Sequence, residues 1–295
     1  MTTAAAAKPR TTTKRTASTG RNTTTTTRRA PRRLSADDLQ KLVGLLSGAD
    51  STELKLTVPP ASHRDTIRGL PIDPVESQPR QVYFFDTPDL ALNKAGIVVR
   101  ARRIAGGKGD TVIKLRPVVP SELPARFRTD PSFNVEVDVL PGGYVCSASF
   151  KGKSTGAEIW DAVRGGQPLR KLFSKQQRAF FKQFAPEGSD LDALIPLGPT
   201  FLLKGRFNAA IGNGPKPAQR PIVVEMWLYP DGSRILELST KCAPAEAFAV
   251  AIETRAYLKA RGVTLTGIQQ TKTRTALEFY AGEVRKPRTR TRRAG

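Results

Sequence analysis

Ionic side chains recur at every second position along several short segments of this 295-residue sequence. Residues 97–102 place Arg100 and Arg102 on the same face of an extended chain, and residues 112–116 place Lys114 and Arg116 there in the same way. Lysine binds phosphate oxygens as a point charge, and arginine binds them in pairs through its planar guanidinium group. The pattern therefore predicts a surface that binds phosphate groups.

Carboxylates alternate in the same manner in other segments. Glu136 and Asp138 share one face of residues 134–140, and Glu53, Glu225 and Glu237 lie in three further alternating segments. Paired carboxylates suit a hard cation such as Mg²⁺ or Mn²⁺. The alternating positions together hold eight cations and five carboxylates: Lys55, Arg100, Arg102, Lys114, Arg116, Lys204, Arg206 and Lys241, with Glu53, Glu136, Asp138, Glu225 and Glu237. Charge matching favours a triphosphate of about −4 together with a divalent cation.

Eight short segments with a period of two are predicted to be strands, and turn signals separate them. They are residues 53–58, 81–85, 97–103, 111–116, 134–140, 201–207, 221–229 and 234–241. Helices are predicted over residues 36–46, 157–163, 175–184, 245–261 and 271–280. Eight strands are enough for a small closed barrel or a sandwich.

Two arrangements of these strands are compatible with the alternation. One is an antiparallel sheet whose charged face is open to water, which is common among such sheets. The other is a closed barrel whose charged face points inward. The helices carry apolar stripes, such as Leu39, Leu42 and Leu46, and these stripes need an apolar surface to cover. We therefore expect an α+β fold, an eight-stranded antiparallel β-barrel with helices packed outside and ionic side chains in the tunnel.

Residues 83–103 resemble the signature of the CYTH family of triphosphate tunnel enzymes. Its Tyr-x-Asp-Thr-Pro segment is similar to Tyr83-Phe84-Phe85-Asp86-Thr87-Pro88, and its Leu-Arg-x-Arg strand is similar to Val99-Arg100-Ala101-Arg102. Thr111 to Lys114 match the following strand, and Glu136 and Asp138 stand where the family has an acidic pair. The resemblance covers about residues 50–241. Known members are class IV adenylyl cyclases, thiamine triphosphatases and inorganic triphosphatases.

The resemblance implies an eight-stranded tunnel, a triphosphate substrate and Mg²⁺ or Mn²⁺. The site residues fall into three groups by role. Phosphate would be bound by Lys55, Arg100, Arg102, Lys114, Arg116, Arg178, Lys204 and Lys241. The metal would be bound by Glu53, Glu136, Asp138, Glu225 and Glu237, of which Glu136 and Glu237 would also be catalytic.

Two motifs depart from the family pattern, at three positions in all. The family opens with Glu-x-Glu-x-Lys, whereas this chain has Glu53-Leu54-Lys55-Leu56-Thr57. The late Glu-x-Glu of the family is Glu237-Leu238-Ser239 here. Two expected carboxylates are therefore missing, which argues against a site for two metal ions. Phosphate binding is unaffected because it depends on the cations.

The net charge of +22 is concentrated at the two ends of the chain. Residues 1–33 carry nine positive charges and residues 285–295 carry six, with no acid in either segment, which leaves +7 for residues 34–284. Both ends have few aliphatic side chains, so we predict disordered basic tails on either side of one tunnel domain, 34–284. Such tails favour non-specific contacts with nucleic acid, with an anionic membrane surface or with polyphosphate.

Several classes of protein are disfavoured by composition. His63 is the only histidine, which argues against a Ser-His-Asp triad and against a histidine-bound zinc site. Cys146 and Cys242 are the only cysteines and fit a reducing compartment. No apolar run is long enough to span a membrane. We therefore expect a cytoplasmic protein of bacterial type, with association to the nucleoid as an option for its tails.

Three functions remain open from the sequence. The first is metal-dependent hydrolysis of an inorganic or organic triphosphate, or cyclisation of ATP as in an adenylyl cyclase. The second is a module that binds polyphosphate, nucleotide or RNA 5′ ends without turnover, which the altered opening motif favours. The third is a structural protein associated with nucleic acid.

Overall fold

Nine β-strands close into a barrel in the computed structural model, which describes residues 34–212, 218–265 and 272–285. The predicted tails, 1–33 and 285–295, lie outside the described residues except for Arg285, which is the last residue of a helix. The strands are β1 (Ser51–Val58), β2 (Gln78–Asp86), β3 (Ile97–Ile104), β4 (Lys108–Leu115), β5 (Phe133–Leu140), β6 (Gly143–Thr155), β7 (Ile195–Ile211), β8 (Ala218–Leu228) and β9 (Arg234–Cys242). The prediction of a closed barrel is confirmed.

The order of strands around the barrel is β1-β5-β6-β4-β3-β2-β7-β8-β9, and β9 pairs with β1. The β1–β5 pair is parallel and every other pair is antiparallel, so the barrel is mixed rather than wholly antiparallel. The expected number of eight strands was also wrong, because the sequence analysis missed β6. Serine, lysine and glycine dominate β6, and none of these residues favours a strand. Its strand conformation comes from pairing with β4 and β5 on either side.

Eight helices accompany the barrel in the described part of the chain. They are α1 (Ala36–Ser47), α2 (His63–Gly69), α3 (Ala91–Lys94), α4 (Ala125–Arg128), α5 (Gly156–Val163), α6 (Lys175–Phe184), α7 (Ala247–Ala260) and α8 (Lys272–Arg285). The five predicted helices are present as α1, α5, α6, α7 and α8. Ser35 caps α1 as expected, since its hydroxyl accepts a hydrogen bond from the Asp38 N–H at 3.1 Å. None of these helices is long and apolar enough to cross a membrane.

Two apolar clusters join the helices to the outside of the barrel. The larger contains the outward side chains of β2 to β6, packed against α1, α4, α5 and α6, and includes Phe127, Phe133, Phe150 and Phe180. The second contains the outward side chains of β1, β7, β8 and β9, packed against α7. Because side chains alternate along a strand, the ionic neighbours of these residues point into the barrel. The predicted division into apolar outside and ionic inside is therefore present.

Helix α8 closes one end of the barrel, where it packs against strand residues in a third apolar cluster. Val82, Phe84 and Trp227 face inward at this end, and Ala276 and Leu277 of α8 pack against their cluster. The hydroxyl of Tyr229 donates a hydrogen bond to the carbonyl oxygen of Lys272 at 3.1 Å, and that of Tyr280 donates one to Pro199. The Tyr229 bond fixes the first turn of α8 at the inner end of the tunnel, and the Tyr280 bond holds the helix further along.

The Asp-Thr-Pro block has a structural role. The carboxylate of Asp86 is buried at the end of β2 and accepts hydrogen bonds from the backbone N–H groups of Thr87, Leu92 and Asn93 at 2.8–2.9 Å. It therefore holds the turn that contains α3 and leads the chain into β3. Burial raises the pKa of Asp86, and the three N–H donors oppose that rise.

Replacing Asp86 by alanine is expected to destabilise the fold by roughly 2–4 kcal/mol, because one buried and two partly buried N–H groups lose a charged acceptor. Chemical unfolding measures this difference. Asp89→Ala is the matched control, since Asp89 is exposed and pairs with Lys94 at the surface, and a change of at most about 0.5 kcal/mol is expected there. Equal effects of the two substitutions would contradict the structural role of Asp86.

Candidate functional site

The barrel encloses a cavity of about 330 Å³ that is lined mainly by charged side chains. This volume lies at the lower end of the range of small-molecule sites, about 300–1,000 Å³. Nine cations and five carboxylates line it: Lys55, Arg100, Arg102, Lys114, Arg116, Lys151, Lys204, Lys241 and Lys272, with Glu53, Glu136, Asp138, Glu225 and Glu237. The lining therefore carries four positive charges in excess.

Strand register brings three of the carboxylates together on one wall. Glu53 of β1 lies directly opposite Asp138 of the parallel strand β5, and Glu136 is two residues before Asp138. One oxygen from each of the three carboxylates lies within 4.8 Å of the others. Glu53, Glu136 and Asp138 are called the acidic cluster below. Three carboxylates are a donor set that fits a hard divalent cation, so the cluster could hold a metal.

Three lysines already contact the acidic cluster. The Lys55 ammonium lies 2.8 Å from Asp138 Oδ1 and 3.1 Å from Glu53 Oε2. The Lys114 ammonium lies 3.5 Å from Asp138 Oδ2 and 4.0 Å from Glu136 Oε1, and Lys241 pairs with Glu136. Burial by itself would lower the pKa of Lys55, but the attraction of Asp138 and Glu53 is stronger and raises it. Each carboxylate of the cluster is therefore neutralised by a lysine.

A second acidic pair lies near the closed end of the cavity. Glu225 of β8 and Glu237 of β9 are directly opposite in the antiparallel register, which would be destabilising for two carboxylates alone. The Lys272 ammonium of α8 bridges them, at 2.8 Å from Glu225 Oε2 and 2.5 Å from Glu237 Oε1. The lysine also lies 5.1 Å from the centre of the Trp227 ring. Lys272 therefore joins α8 to the barrel wall by charge as well as by packing.

The two glutamates of this pair differ in their pKa values. Burial disfavours both charges, but Lys272, followed by Lys204 and Trp227, outweighs burial at Glu225 and lowers its pKa. At Glu237 burial prevails over Lys272 and Lys55 and raises the pKa. Glu237 is therefore the stronger base of the pair, which is the property that a proton acceptor needs.

Three cations in the cavity have no carboxylate within ion-pair distance among the described residues. They are Arg100 of β3, Arg116 just after β4 and Lys151 of β6. The Nε atom of Arg100 is buried and also has no hydrogen-bond partner within the part of the chain that the structure describes. Burial, followed by repulsion from Arg102, lowers the pKa of Arg100 to about 9, which leaves the guanidinium charged near neutral pH. A buried charge without a partner is unfavourable, and an anion in the cavity would relieve it.

Local backbone geometry fixes the position of Arg116. Its N–H donates a hydrogen bond to the carbonyl oxygen of Gly96 at 2.9 Å, at the turn before β3. Gly96 has a φ of +78°, and an added Cβ would lie 2.2 Å from the Arg116 carbonyl oxygen. Only glycine fits this close approach. The glycine therefore ties the ends of β3 and β4 together beside the cavity.

Most of the residues predicted for the site line this cavity, and two of the cations do not. Arg178 of α6 lies outside the cavity lining, where its guanidinium donates hydrogen bonds to the carbonyl oxygens of Phe173 and Arg170 at 2.5 and 3.3 Å. Its predicted place in the site was therefore wrong, because helical spacing does not show which way a helix faces. Arg206 is exposed on β7, where that strand continues beyond the cavity.

The sequence analysis missed Lys151, Trp227 and Lys272. Lys151 continues an alternation with Ser147 and Ser149 in β6, which was a weak signal because serine is common in loops. Lys272 lies at the start of a helix that was predicted without a role. Only the path of the chain brings this helix end into the barrel, so no local pattern could have identified it.

Arg102 is in the lining but forms a two-pronged ion pair with Asp110, with nitrogen to oxygen distances of 2.8–3.1 Å.

Two solved structures share this architecture. The first is a protein from Hippeastrum, described as a candidate adenylyl cyclase that has a dominant triphosphatase activity, with a TM-score of 0.55 and 14% sequence identity over 77% of this chain and 95% of its own. The second is a Bacillus halodurans protein described as a candidate adenylate cyclase, with a TM-score of 0.51 and 12% identity over 76% and 98% of the two chains. No protein-family model and no curated protein matches the sequence. At these identities the likeness shows the fold.

Proposed function

Because the chain has a CYTH-type fold, we propose that it binds the triphosphate group of an inorganic or organic triphosphate in the barrel and hydrolyses the terminal phosphoanhydride. The observation that carries the proposal is a set of three cations, Arg100, Arg116 and Lys151, which line an enclosed cavity and have no carboxylate partner in the described part of the chain. A triphosphate of about −4 matches the excess charge of the lining. One of the two structural neighbours, the Hippeastrum protein, is described as having a dominant triphosphatase activity, which agrees with this choice.

Phosphate oxygens would be held by the cations that lack carboxylate partners. Arg100 and Arg116 would each bind two oxygens of the chain through parallel N–H groups, and Lys151 would add a point charge. Lys114 and Lys204, whose pKa values are lowered mainly by burial, would gain stronger anionic partners. These contacts would neutralise the charge that develops on the transferring phosphoryl group.

Glu237 is the proposed proton acceptor. The oxygen of a water molecule would bond to the terminal phosphorus, the bond from that phosphorus to the bridging oxygen would break, and the bridging oxygen would keep the electron pair. The proton released by the water would pass to the carboxylate, and the products would be orthophosphate and the corresponding diphosphate. Glu136 is the second carboxylate proposed to orient the water.

A divalent cation, Mg²⁺ or Mn²⁺, is proposed to take part at the acidic cluster. Glu53, Glu136 and Asp138 would hold it, and it would supply neutralisation of phosphate charge. The Glu225–Glu237 pair was predicted as part of the same metal site. In the structure Lys272 occupies the space between these two carboxylates, so we propose the acidic cluster alone as the metal site.

Phosphate release from tripolyphosphate, thiamine triphosphate and ATP, with Mg²⁺ or Mn²⁺, tests the proposal. Orthophosphate from at least one substrate is expected, and Glu237→Gln is expected to reduce the rate roughly 100-fold or more, the range of general base catalysis. The Glu237→Gln variant should still bind tripolyphosphate. Release of pyrophosphate with cyclic AMP from ATP would instead identify a cyclase.

A binding module without turnover is the second candidate. The observation that favours it is that lysines contact every carboxylate of the cavity lining. Tight binding of tripolyphosphate without any phosphate release would select this alternative. The basic tails are proposed to make separate, salt-sensitive contacts with nucleic acid, and high salt would remove those contacts while leaving the enclosed site occupied.

A further inference from the structure

Lys55 occupies a place where its charge competes directly with a metal ion. Its ammonium contacts Glu53 and Asp138 at 3.1 and 2.8 Å, and these are two of the three members of the acidic cluster. Only 17% of the Lys55 side chain is exposed, so this ammonium is held within the lining. A divalent cation bound by Glu53 and Asp138 would lie within a few ångströms of it. Two cations so close repel each other strongly at low dielectric.

The third member of the cluster is neutralised independently. Glu136 pairs with Lys241 and lies 4.0 Å from Lys114. The three carboxylates therefore face three ammonium groups, and no negative charge is left over for a metal. A metal can enter only if at least one ammonium leaves, and Lys55 is the one that contacts two of the carboxylates at close range.

We propose that Lys55 acts as an internal counter-ion that excludes divalent metal from the acidic cluster of the ligand-free protein, so that the cavity binds a triphosphate without a resident metal. The second part rests on the proposed function. The ammonium of Lys55 can turn from the carboxylates to phosphate oxygens once a triphosphate is bound. Metal could then reach the cluster only as the companion of the triphosphate, and the two binding events would be positively coupled.

Mn²⁺ binding to the ligand-free, full-length protein tests the first part, with calorimetry as the readout. Wild type is expected to bind Mn²⁺ at least ~10-fold more weakly than Lys55→Met, in which the two carboxylates are freed. Lys204→Met is the matched control, because Lys204 is a cavity lysine that pairs with Glu225, at 3.8 Å, and not with the cluster. It should bind Mn²⁺ as weakly as wild type. Equal Mn²⁺ affinity of wild type and Lys55→Met would overturn the proposal.

Two further variants guard against loss of folding and locate the metal. Lys55→Met leaves Glu53 without the lysine that contacts it and leaves Asp138 with Lys114 alone, so the unfolding temperature of this variant should be low and should rise on addition of Mn²⁺, whereas that of wild type should not. The double variant Lys55→Met with Asp138→Asn should lose this response. An unchanged response in the double variant would place the metal elsewhere and overturn the proposal.

Tripolyphosphate binding in the presence of a chelator tests the second part. Wild type is expected to keep measurable tripolyphosphate binding with chelator and to bind more tightly in Mg²⁺, whereas Lys55→Glu should bind at least ~10-fold more weakly than wild type with chelator and recover with Mg²⁺. Loss of wild-type binding on chelation would overturn the role of Lys55 and leave the proposed function intact. Absence of tripolyphosphate binding under every condition would instead refute the proposed function. The Mn²⁺ measurement on ligand-free protein would still test the first part of the proposal independently.

Discussion

Replacement of Arg100 by methionine is expected to weaken tripolyphosphate binding roughly 10- to 100-fold, the loss of one or two charged hydrogen bonds. The same substitution is expected to leave the unfolding temperature unchanged or to raise it. Arg100 has a buried Nε without a partner and no carboxylate within ion-pair distance among the described residues, so the apo protein bears the desolvation of an unpaired charge. Calorimetry and thermal unfolding, both at high ionic strength to suppress binding by the tails, measure the two effects.

Arg206→Met is the control for Arg100→Met, since it removes the same group from an exposed position on β7. Neither binding nor stability should change by more than the error of the measurement. If Arg100→Met lowered the unfolding temperature by several degrees, Arg100 would have a structural partner and its assignment to a ligand would fail. If tripolyphosphate bound equally to both variants, the cavity would not be the site.

Lys272→Met has the largest expected effect on stability, a loss of roughly 3–5 kcal/mol in the free energy of unfolding. Removing this ammonium leaves Glu225 and Glu237 opposite each other, buried and without their shared cation. The pKa of Lys272 is raised by these two glutamates in spite of burial, which agrees with a strong favourable interaction. The first turn of α8 would lose its anchor, and the closed end of the tunnel would open.

Arg274→Met in the same helix is the matched control. Arg274 pairs with Glu278 at the surface, four residues along α8, and such pairs contribute little. A change within about 0.5 kcal/mol is expected for it by chemical unfolding. If the two variants were equally stable, the ion pairs of Lys272 with Glu225 and Glu237 would contribute nothing to stability. Helix α8 would then be held by its apolar residues alone.

The period-two alternation of ionic and aliphatic residues predicted the residues of the barrel wall better than those at the ends of the barrel. Arg100, Lys114 and Glu136 face the cavity because each follows a clear period of two beside aliphatic residues that the outer helices cover. A period of two fixes which residues share a face, and the helices decide which face is inside. Arg178 was misplaced because a basic residue on a helix has the same local pattern whether it faces a site or a neighbouring carbonyl.

The features that the sequence did not reveal are non-local. Lys151 belongs to a strand whose residues favour loops, and its conformation is imposed by β4 and β5. Lys272 reaches the lining because α8 packs into the end of the barrel. The ion pairs of Lys55 could not be predicted from the lysine that replaces a glutamate of the family pattern. That replacement shows neither the distance from Lys55 to Asp138 nor the parallel register of β1 and β5.

The most direct test is a crystal structure of the full-length protein soaked with tripolyphosphate. The account predicts one tripolyphosphate inside the barrel, with its oxygens within hydrogen-bond distance of Arg100 and Arg116 and with the Lys55 ammonium moved toward a phosphate. Tripolyphosphate on the outer surface, with Arg100 still without an anionic partner, would contradict it.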